Sequence, residues 1–573
     1  MSPAGLAYST PAPVYAAGVS IVPNIPSTSA TGGVPTSYSV SPALPGLVLN
    51  PITGIVTGSP VAVPSTIVPP PPSTTTYTVT ASNSAGSATA PLTITVYNAP
   101  QAVPNLGQSI TPLATAGSSF QFLDTGMVIT DPIDTTVPPV EWLAGYGASS
   151  AVSPDGHTLA VLTTGYNRVF QGAFPLFDPL YSNEYAFLYN IQSGAPVFEQ
   201  AVTIENSYHG IVWDPSSTAF YVSGGMGDAP FGTDPIPYSP LNNGDNVHII
   251  TQQANGNWTK TAELDLGQDP TLGVVVGHPA GNGLPVPDSG FASVNAAVYV
   301  APCAAGVAIS NDGNLLVVAN YYNDSITVFS GGLSIWLQQY VPDAQSAQGG
   351  QGMLQGTELD LRPGNGLPGG EYPFWVVLTN NGPPATPYTA YVPSLRDREI
   401  DVVTMAASCG HGDPIFCTYT PSVTARIPVK GQPNKMTLNR AQTLLYVAED
   451  ESDTVDVISL VTNTVVETIP VIAPPSVLQS FSLTQYTGAN TNSVTLSEPD
   501  EKRLYVTNGN LNNIAVVALN GSNSGDSVTG LIPAGWYPNS LSLSQDGTWA
   551  YVVNAKSPTG PNPHWCYNYG PTG

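Results

Sequence analysis

Charged side chains are scarce in this sequence of 573 residues. Only 9% of the residues are Asp, Glu, Lys or Arg, against roughly a quarter in an ordinary soluble domain. Acidic residues outnumber basic ones by 38 to 12, which gives a formal net charge of −26. Nucleic acids and anionic membranes bind through clustered cations, and the sequence has no arginine stripe or lysine run. We therefore expect neither nucleic acid nor an anionic membrane surface as a partner.

Long apolar runs and a recognisable leader are also missing. No stretch of about 18 apolar residues is present, so we predict no membrane span. The segment from Met1 to Thr10 lacks the basic and apolar regions of a signal peptide. The low charge and the polar surface supplied by Ser, Thr, Asn, Gly and Tyr are nevertheless typical of a secreted β-protein. We therefore predict an extracellular, cell-surface or periplasmic protein whose leader is not included in this chain.

Cysteine is rare as well. The four cysteines are Cys303, Cys409, Cys417 and Cys566. Cys409 and Cys417 bracket a short loop, and this spacing predicts a local disulfide in an oxidising compartment. A metal site of Cys409, His411 and Cys417 is the alternative, although no second Cys/His pair completes a tetrahedral site. The pairing of Cys303 and Cys566 stays open.

What the sequence does contain is a recurring phrase. Each copy has an Asx/Gly-type turn, a short apolar strand, a polar turn and a second strand rich in Val and Ile. Seven copies are centred near Val161, Val222, Val318, Val392, Val447, Val506 and Val552. Most steps of about 45 to 60 residues match four-stranded propeller blades with their loops. We predict an all-β fold with a seven-bladed β-propeller over 113–557, preceded by a linker over 99–112 and followed by a tail over 558–573.

Two steps of this repeat are longer than the others. They carry insertions rich in Gly, Pro, Asn or Gln at about 227–244, 277–290 and 345–355. We expect these insertions on loops at one face, where propellers usually bind their ligands. We also expect the segment 111–142 to add a strand to the last blade, which would close the ring and remove its exposed edge.

The first 98 residues form a separate module. Pro, Ser, Thr and Gly dominate there, and apolar and polar residues alternate in Thr76–Ala81 and Pro91–Val96. This period of two predicts an Ig-like β-sandwich. No Asp or Glu occurs before Asp124, so a calcium site, which needs several oxygen ligands and usually carboxylates, is not expected in the module. We predict that it acts as a spacer.

The wording of both parts resembles known families. Residues 38–47, 51–60 and 77–86 resemble the bacterial Ig-like, cadherin-like modules that repeat on large secreted proteins. Residues 453–458, followed by 463–470, resemble the strand–turn–strand phrase of the YVTN family of bacterial β-propellers, which is related to surface-layer proteins. The second resemblance extends over about 145–557 and weakens in the second to fourth blades.

The end of the chain resembles a more particular group. Residues 530–538, 554–556 and 560–563 are similar to the end of the propeller in bifunctional propeller–phosphoesterase proteins. In those proteins an alkaline-phosphatase-like domain follows at once. The resemblance implies that 558–573 would begin a hydrolase domain that this chain does not include.

Candidate ligand-binding residues are few. His209 precedes Gly210–Trp213, which predicts a position at the start of an innermost strand near the channel mouth. It could bind a ligand there or serve as a hydrogen-bonded structural histidine. The segments Tyr372–Trp375 and Trp536–Pro538 begin blades, and Tyr372, Trp375, Trp536 and Tyr537 could stack on sugar rings or pack between blades.

Residues that could carry chemistry form no recognisable constellation. No Gly-x-Ser-x-Gly elbow, His-Glu-x-x-His or phosphate-cradling loop is present, so we predict no catalytic, cofactor-binding or metal-binding residue. Asp450, Glu451, Asp453 and Asp456 form an acidic cluster that we assign to a solvated hairpin turn rather than to a metal.

The sequence therefore favours a non-catalytic secreted or cell-surface binding and scaffold protein. Its propeller would recognise a protein, a glycan or a small molecule. Two alternatives stay open: a fragment of a bifunctional propeller–phosphoesterase, and a propeller that is itself a hydrolase or lactonase. A fold alone decides between none of them.

Overall fold

A computed structural model describes most of the chain, and nearly all of its regular structure is β. The described residues are 1–17, 21, 23–61, 73–97, 121–129, 140–164, 170–171, 176–177, 183–204, 206–225, 246–266, 303–338, 356–363, 367–379, 387–409, 417–473, 487–521 and 524–556. The described helices are α1 (Leu333–Gln338) and a 3₁₀ turn (Gly509–Leu511). Neither is long and apolar enough to cross a membrane.

The N-terminal module consists of three small sheets. One has four strands in the order β2-β8-β7-β4, with β2 parallel to β8, and the others pair β1 with β3 and β5 with β6. The strands are β1 (Ala7–Tyr8), β2 (Val14–Ala16), β3 (Pro26–Ser27), β4 (Ser37–Ser41), β5 (Leu47–Leu49), β6 (Val56–Gly58), β7 (Ser73–Asn83) and β8 (Gly86–Tyr97). All three sheets contribute to one core, in which Tyr8, Val56, Val79 and Leu92 are buried.

Strand β7 contributes to this core with only one of its two faces. Its residues alternate between the core and the exterior, so Tyr77 and Val79 are buried whereas Thr76 and Thr78 are exposed. This pattern follows from the period of two along a strand, and it fits a sheet with one solvated face.

Six antiparallel four-stranded sheets follow one another between Gly147 and Pro533. In each sheet the four strands lie side by side in chain order, which makes a meander. In order, the sheets are β11 (Gly147–Val152), β12 (Thr158–Thr163), β15 (Glu184–Asn190), β16 (Val197–Ile204); β17 (Ile211–Trp213), β18 (Ala219–Ser223), β19 (Asn246–Gln252), β20 (Trp258–Asp265); β21 (Ala304–Ile309), β22 (Leu315–Asn320), β23 (Ser325–Ser330), β24 (Thr357–Asp360); β25 (Val377–Leu378), β26 (Tyr388–Ser394), β27 (Glu399–Cys409), β28 (Cys417–Pro428); β29 (Gln432–Leu438), β30 (Leu444–Asp450), β31 (Thr454–Ser459), β32 (Thr464–Pro470); and β33 (Thr491–Leu496), β34 (Arg503–Asn508), β35 (Asn513–Ala518), β36 (Ser527–Pro533).

Three two-stranded sheets complete the description. They are β9 (Leu123–Ile129) with β10 (Val140–Ala144), β13 (Phe170–Gln171) with β14 (Leu176–Phe177), and β37 (Pro538–Leu543) with β38 (Ala550–Asn554). The recurring apolar phrase of the sequence corresponds to the second strand of each successive sheet, from β12 to β38.

Hydrophobic clusters lie between neighbouring sheets rather than in one central core. In β22, Leu315 and Val317 pack against the fourth sheet, whereas Leu316 and Val318 pack against the second. Because alternate side chains serve two different interfaces, the strand reads as a continuous apolar run. Equivalent clusters join each remaining pair of consecutive sheets.

The ring closes between its first sheet and its last strands. Leu159 and Val161 of the first sheet share a cluster with Tyr551 and Val553 of β38, and Ser150 Oγ lies 2.8 Å from Ser542 Oγ. A closed ring of radially packed meanders is a β-propeller. The segment expected to complete the last blade behaves differently within the described residues: β9 pairs with β10, and this hairpin adds Leu123 and Ala144 to the same cluster.

Three hairpin turns share a hydrogen-bonding pattern that the sequence repeats as Ser-x-Asp-Gly. In each turn the serine hydroxyl donates to the aspartate, which also accepts the amide two residues later; the aspartates are Asp155, Asp312 and Asp546. The following glycines have φ of +74°, +72° and +68°, a conformation that favours glycine. The insertions predicted at 227–244, 277–290 and 345–355 lie outside the described residues.

Candidate functional site

The first strands of the successive sheets, which we call the inner strands, share an irregularity near their start. Register shifts occur at the start of five of them: β11, β21, β29, β33 and β37. The residue immediately before four of these strands is left-handed, with φ of 56° at Tyr146, 52° at Cys303, 55° at Asn490 and 63° at Tyr537. Bulges of this kind bend a strand and re-aim a side chain away from the regular ladder.

Three of the residues left out of the ladder by these bulges are asparagines. Asn434, Asn492 and Asn539 come from the fifth sheet, the sixth sheet and β37. They line a cavity of about 280 Å³ at the propeller axis. The other lining residues are Tyr146, Gly147, Thr164, His209, Phe374, Asp450, Asn490, Tyr537 and Ala555. Ligand sites commonly combine apolar rings with a few convergent polar groups in this way.

His209 brings an unsatisfied nitrogen to this cavity. Its Nδ1 is buried and has no hydrogen-bond partner among the described residues. The ring lies 4.9 Å from that of Phe374 and 4.5 Å from that of Tyr208, measured between centroids. Burial, with the nearby charge of Lys435, holds the pKa of His209 well below its usual range. The imidazole is therefore neutral at pH 7, with one ring nitrogen as donor and the other as acceptor.

The backbone beside His209 is fixed on both sides. Ser149 Oγ donates to the His209 carbonyl at 2.6 Å, and the Gly210 amide donates to Ser223 Oγ at 2.8 Å. A Cβ at Gly210 would lie 2.5 Å from the Ala305 carbonyl oxygen. Glycine is thus needed here because the second and third sheets approach each other too closely for a side chain.

Lys435 ties three parts of the ring together next to the cavity. Its Nζ donates to Ala148 O at 2.6 Å, Ser149 Oγ at 2.8 Å and Asn539 O at 3.1 Å. The side chain is 3% exposed, and burial lowers the pKa of Lys435 to about 7. Three acceptors match the three protons of an ammonium group, so they oppose that burial effect and favour the charged form. With its donors satisfied, Lys435 is a structural tie rather than a free cation.

Asp450 is the one carboxylate in the cavity lining. Burial, together with the neighbouring carboxylates Glu451 and Asp453, raises its pKa. Asn490 Nδ2 donates to Asp450, and the Tyr537 hydroxyl donates to the side-chain Oδ1 of Asn490. This chain of hydrogen bonds holds the carboxylate in place and joins the fifth sheet to β37.

The five residues proposed from the sequence do not all reach this site. His209 and Tyr537 line the cavity, whereas Tyr372, Trp375 and Trp536 are not among its lining residues. The Trp375 ring packs between the fourth and fifth sheets, 5.4 Å from Lys435 Nζ. Trp536 contacts Lys556 Nζ at 5.4 Å. Trp375 is therefore part of the packing between these two sheets, whereas Trp536 is a half-buried ring beside a lysine.

The cysteines and acidic residues also have defined places. Cys409 and Cys417 form a disulfide across β27 and β28, and Cys303 is buried; Cys566 and His411 lie outside the described residues. The solvated-turn interpretation of the acidic cluster is wrong for two members: Asp453 accepts the amides of Gly488 and Ala489, and Asp456, 1% exposed, accepts the Thr468 hydroxyl.

Metal ligands do not assemble in the described part of the chain. No group of three or more His, Cys, Asp or Glu side chains there could hold an ion. The buried acidic residues instead cap amides and hydroxyls, which satisfies polar groups that burial would otherwise leave unpaired.

Sequence reasoning missed the three bulge asparagines. A signal for them exists, because Pro433-Asn434, Thr491-Asn492 and Pro538-Asn539 occupy the same place before an apolar strand. Their shared position is recognised only when the strands are aligned by register, because each asparagine lies at a bulge that interrupts the regular pairing of residues.

Comparisons with known proteins show likeness in fold only. No protein-family model and no curated protein matches the sequence. Among solved structures, the chain is similar to a candidate 6-phosphogluconolactonase of Bacteroides fragilis, at 15% identity and a TM-score of 0.40 over 65% of this chain and 83% of that one. It is also similar to the periplasmic gluconolactonase PpgL of Pseudomonas aeruginosa, at 12% and 0.40 over 71% and 88%. U3-55K matches at 9% and 0.42 over 73% and 90%. None of these values carries an argument about substrate or partner.

Proposed function

We propose that this protein is a non-catalytic, secreted or cell-surface binding protein, and that the axial cavity is its ligand site. The observation that carries the proposal is a cavity whose lining brings together His209, Asp450 and the three bulge asparagines from different sheets. The buried Nδ1 of His209 has no partner among the described residues, and such an atom costs about 1–3 kcal/mol, so packing alone does not account for a histidine at this place. The scarcity of charged residues supports the proposed location.

The proposal also includes two architectural assignments that go beyond the closed ring of sheets. We infer that β37 and β38 belong to a seventh blade and that residues 1–98 are an Ig-like spacer. Seven hydrophobic clusters between successive sheets support the first inference. The alternation of buried and exposed residues in β7 supports the second.

The ligand expected in this cavity is small, uncharged and rich in hydroxyl groups. The volume of about 280 Å³ lies at the small end of ligand pockets. The ammonium group of Lys435 is held by three acceptors, so the lining offers no free cation to an anionic ligand. Asp450 accepts from Asn490, and burial with the neighbouring Glu451 and Asp453 raises its pKa, which favours the uncharged acid. Amide groups and a neutral imidazole donate and accept hydrogen bonds, whereas the rings of Phe374 and Tyr537 provide apolar faces.

Replacing His209 by Phe tests the proposal. Phenylalanine keeps an aromatic ring against Tyr208 and Phe374 but removes both nitrogens. We expect binding of neutral monosaccharides, followed by isothermal titration and saturation-transfer NMR, to weaken about tenfold. The melting temperature should stay equal or rise, because an unsatisfied buried nitrogen is removed. Unchanged binding in His209→Phe, or binding of charged compounds alone, would contradict the proposal.

A hydrolase is the second candidate, because Asp450 and His209 line the same cavity. A carboxylate and a neutral imidazole are the groups that general acid–base catalysis uses. Turnover of a neutral sugar lactone by the wild type, lost in Asp450→Asn, would favour this reading. Binding without turnover would favour the binding protein.

A further inference from the structure

A continuous row of aromatic rings leads from the cavity across the neighbouring sheets. We call it the aromatic row, and its members are His209, Phe374, Tyr208, Tyr321, Tyr372 and Tyr322. Ring centroids are 5.9 Å apart for Tyr208 and Tyr321, 5.2 Å for Tyr321 and Tyr372, and 5.0 Å for Tyr321 and Tyr322. Phe374 links the row to the cavity, at 6.1 Å from Tyr208 and 6.2 Å from Tyr321.

All six rings come from the same end of the ring of sheets. Tyr208 and His209 precede β17, Tyr372 and Phe374 precede β25, and Tyr321 with Tyr322 follow β22. Exposure differs along the row: Phe374 is 7% exposed, His209, Tyr208, Tyr321 and Tyr372 are half-buried, and Tyr322 at the outer end is 40% exposed. The row therefore starts inside the axial cavity and ends at the surface.

The chemistry of the aromatic row favours a ligand that is a chain of uncharged sugar rings. Its members carry flat apolar faces with hydroxyl or imidazole groups at their edges, and aromatic side chains of this kind give large contact area at low cost in conformational entropy. None of the six is a cation, and the net charge of −26 repels polyanions. An acidic glycan or a nucleic acid is therefore disfavoured relative to a neutral glycan.

We propose that the aromatic row and the axial cavity form one extended site for a neutral oligosaccharide, with the terminal sugar in the cavity and the following sugars on Tyr321, Tyr372 and Tyr322. This inference rests on the proposed function, because it uses the same cavity. It adds the class of ligand and the contact residues outside the cavity. It also adds the direction of the oligosaccharide, from its terminal sugar in the cavity to later sugars at the surface.

The test measures how affinity depends on chain length. Wild-type protein is applied to an array of neutral glycans of one to six rings, with sialylated and sulfated glycans as acidic comparators, and the best series is titrated calorimetrically. Between one and three rings, we expect affinity to rise about threefold to tenfold per ring. Longer chains should add little.

Variants then separate the two parts of the site. Tyr322→Ala should remove the gain from the outer rings and leave monosaccharide binding unchanged, and Tyr322→Phe should keep most of the gain. Phe198→Ala is the matched control, because Phe198 on β16 is 45% exposed and packs on Phe187 and Tyr189 instead. It should change neither quantity.

The outcomes distinguish the inference from the proposed function. Equal affinity for one and three rings, with His209→Phe still weakening both, would overturn the extended site and leave the cavity proposal standing. No binding of any neutral glycan would overturn both. Binding restricted to acidic glycans or to peptides would also overturn the extended site.

Discussion

The N-terminal module and the propeller bury their apolar side chains in different ways. In the module, one face of β7 is buried and the other, with Thr76 and Thr78, is exposed. In the propeller, every residue of β22 is buried, because each face of the strand packs on a different neighbouring sheet. The module also contains no charged residue, whereas the propeller buries several. A radial arrangement of sheets therefore requires apolar residues on both faces of a strand such as β22, whereas polar side chains line the axial cavity.

Truncation of fully buried core side chains should sharpen this contrast most strongly. Phe329→Ala, in the cluster between the second and third sheets, and Leu92→Ala, in the module core, each remove a fully buried side chain. We expect losses of about 3–5 kcal/mol and about 2–5 kcal/mol respectively. Calorimetry should show each substitution lowering a different unfolding transition. If both substitutions lowered the same transition equally, the two regions would not be independent units.

The pH dependence of stability should separate the regions next. Glu449 is fully buried, and burial with the neighbouring Asp456 raises its pKa to about 7. Because this pKa lies above the unfolded value near 4.3, the stabilisation is complete below about pH 4 and is lost as the pH rises through about 7. The propeller transition should therefore fall by up to about 3 kcal/mol between pH 5 and 8 through this group.

Glu449→Gln provides the test of that assignment. Its carbonyl oxygen can still accept from Gly431 N at 2.8 Å and from the hydroxyls of Ser452 and Thr454 at 3.2 Å. Its amide imitates the protonated acid, so the pH dependence measured by thermal denaturation should flatten. The module transition should not move over this range. An equally steep dependence in the variant would assign the effect to other groups, such as Glu358, whose pKa burial also raises to about 7.

Replacing one threonine by valine in each region should give the smallest effects. Thr76→Val lies on the exposed face of β7 and should change stability by less than about 0.5 kcal/mol. Thr327 is fully buried, and Thr327→Val removes one of the two hydroxyl acceptors of Asn320 Nδ2, at 2.8 Å, and leaves Ser325 Oγ at 2.9 Å. We therefore expect a loss of about 1–3 kcal/mol. Denaturant titration of both variants checks the difference, and equal losses would show that the exposed face of β7 is covered.

Some of this structure could be read from the sequence and some could not. The second strands were predictable, because a run such as Leu315–Asn320 is apolar at every position and recurs at a regular spacing. The place of His209 followed from the apolar strand after Gly210. Alternation along β7 was equally visible.

The cavity itself was not predictable from local pattern. Its asparagines leave the ladder at bulges, and a bulge is defined by the register with a second strand rather than by one segment. Lys435 was missed because lysine is almost never fully buried, and its acceptors lie on strands about 100 and 290 residues away in sequence. Such long-range partners are set by ring closure.

The bulges at the start of the inner strands have a consequence for how such a protein can change. The backbones of Asn434, Asn492 and Asn539 are skipped by the strand ladder, but their side chains are not idle. Asn492 accepts from the Thr507 hydroxyl and donates to Pro538 O, and Asn539 donates to Gly147 O, so both hold the inner strand of one sheet to its neighbours. The Asn434 side chain accepts only the adjacent Lys435 amide among the described contacts. A laboratory library that varies Asn434 would therefore change the cavity lining with the least damage to the frame, whereas changes at Asn492 or Asn539 would also loosen the contacts between sheets.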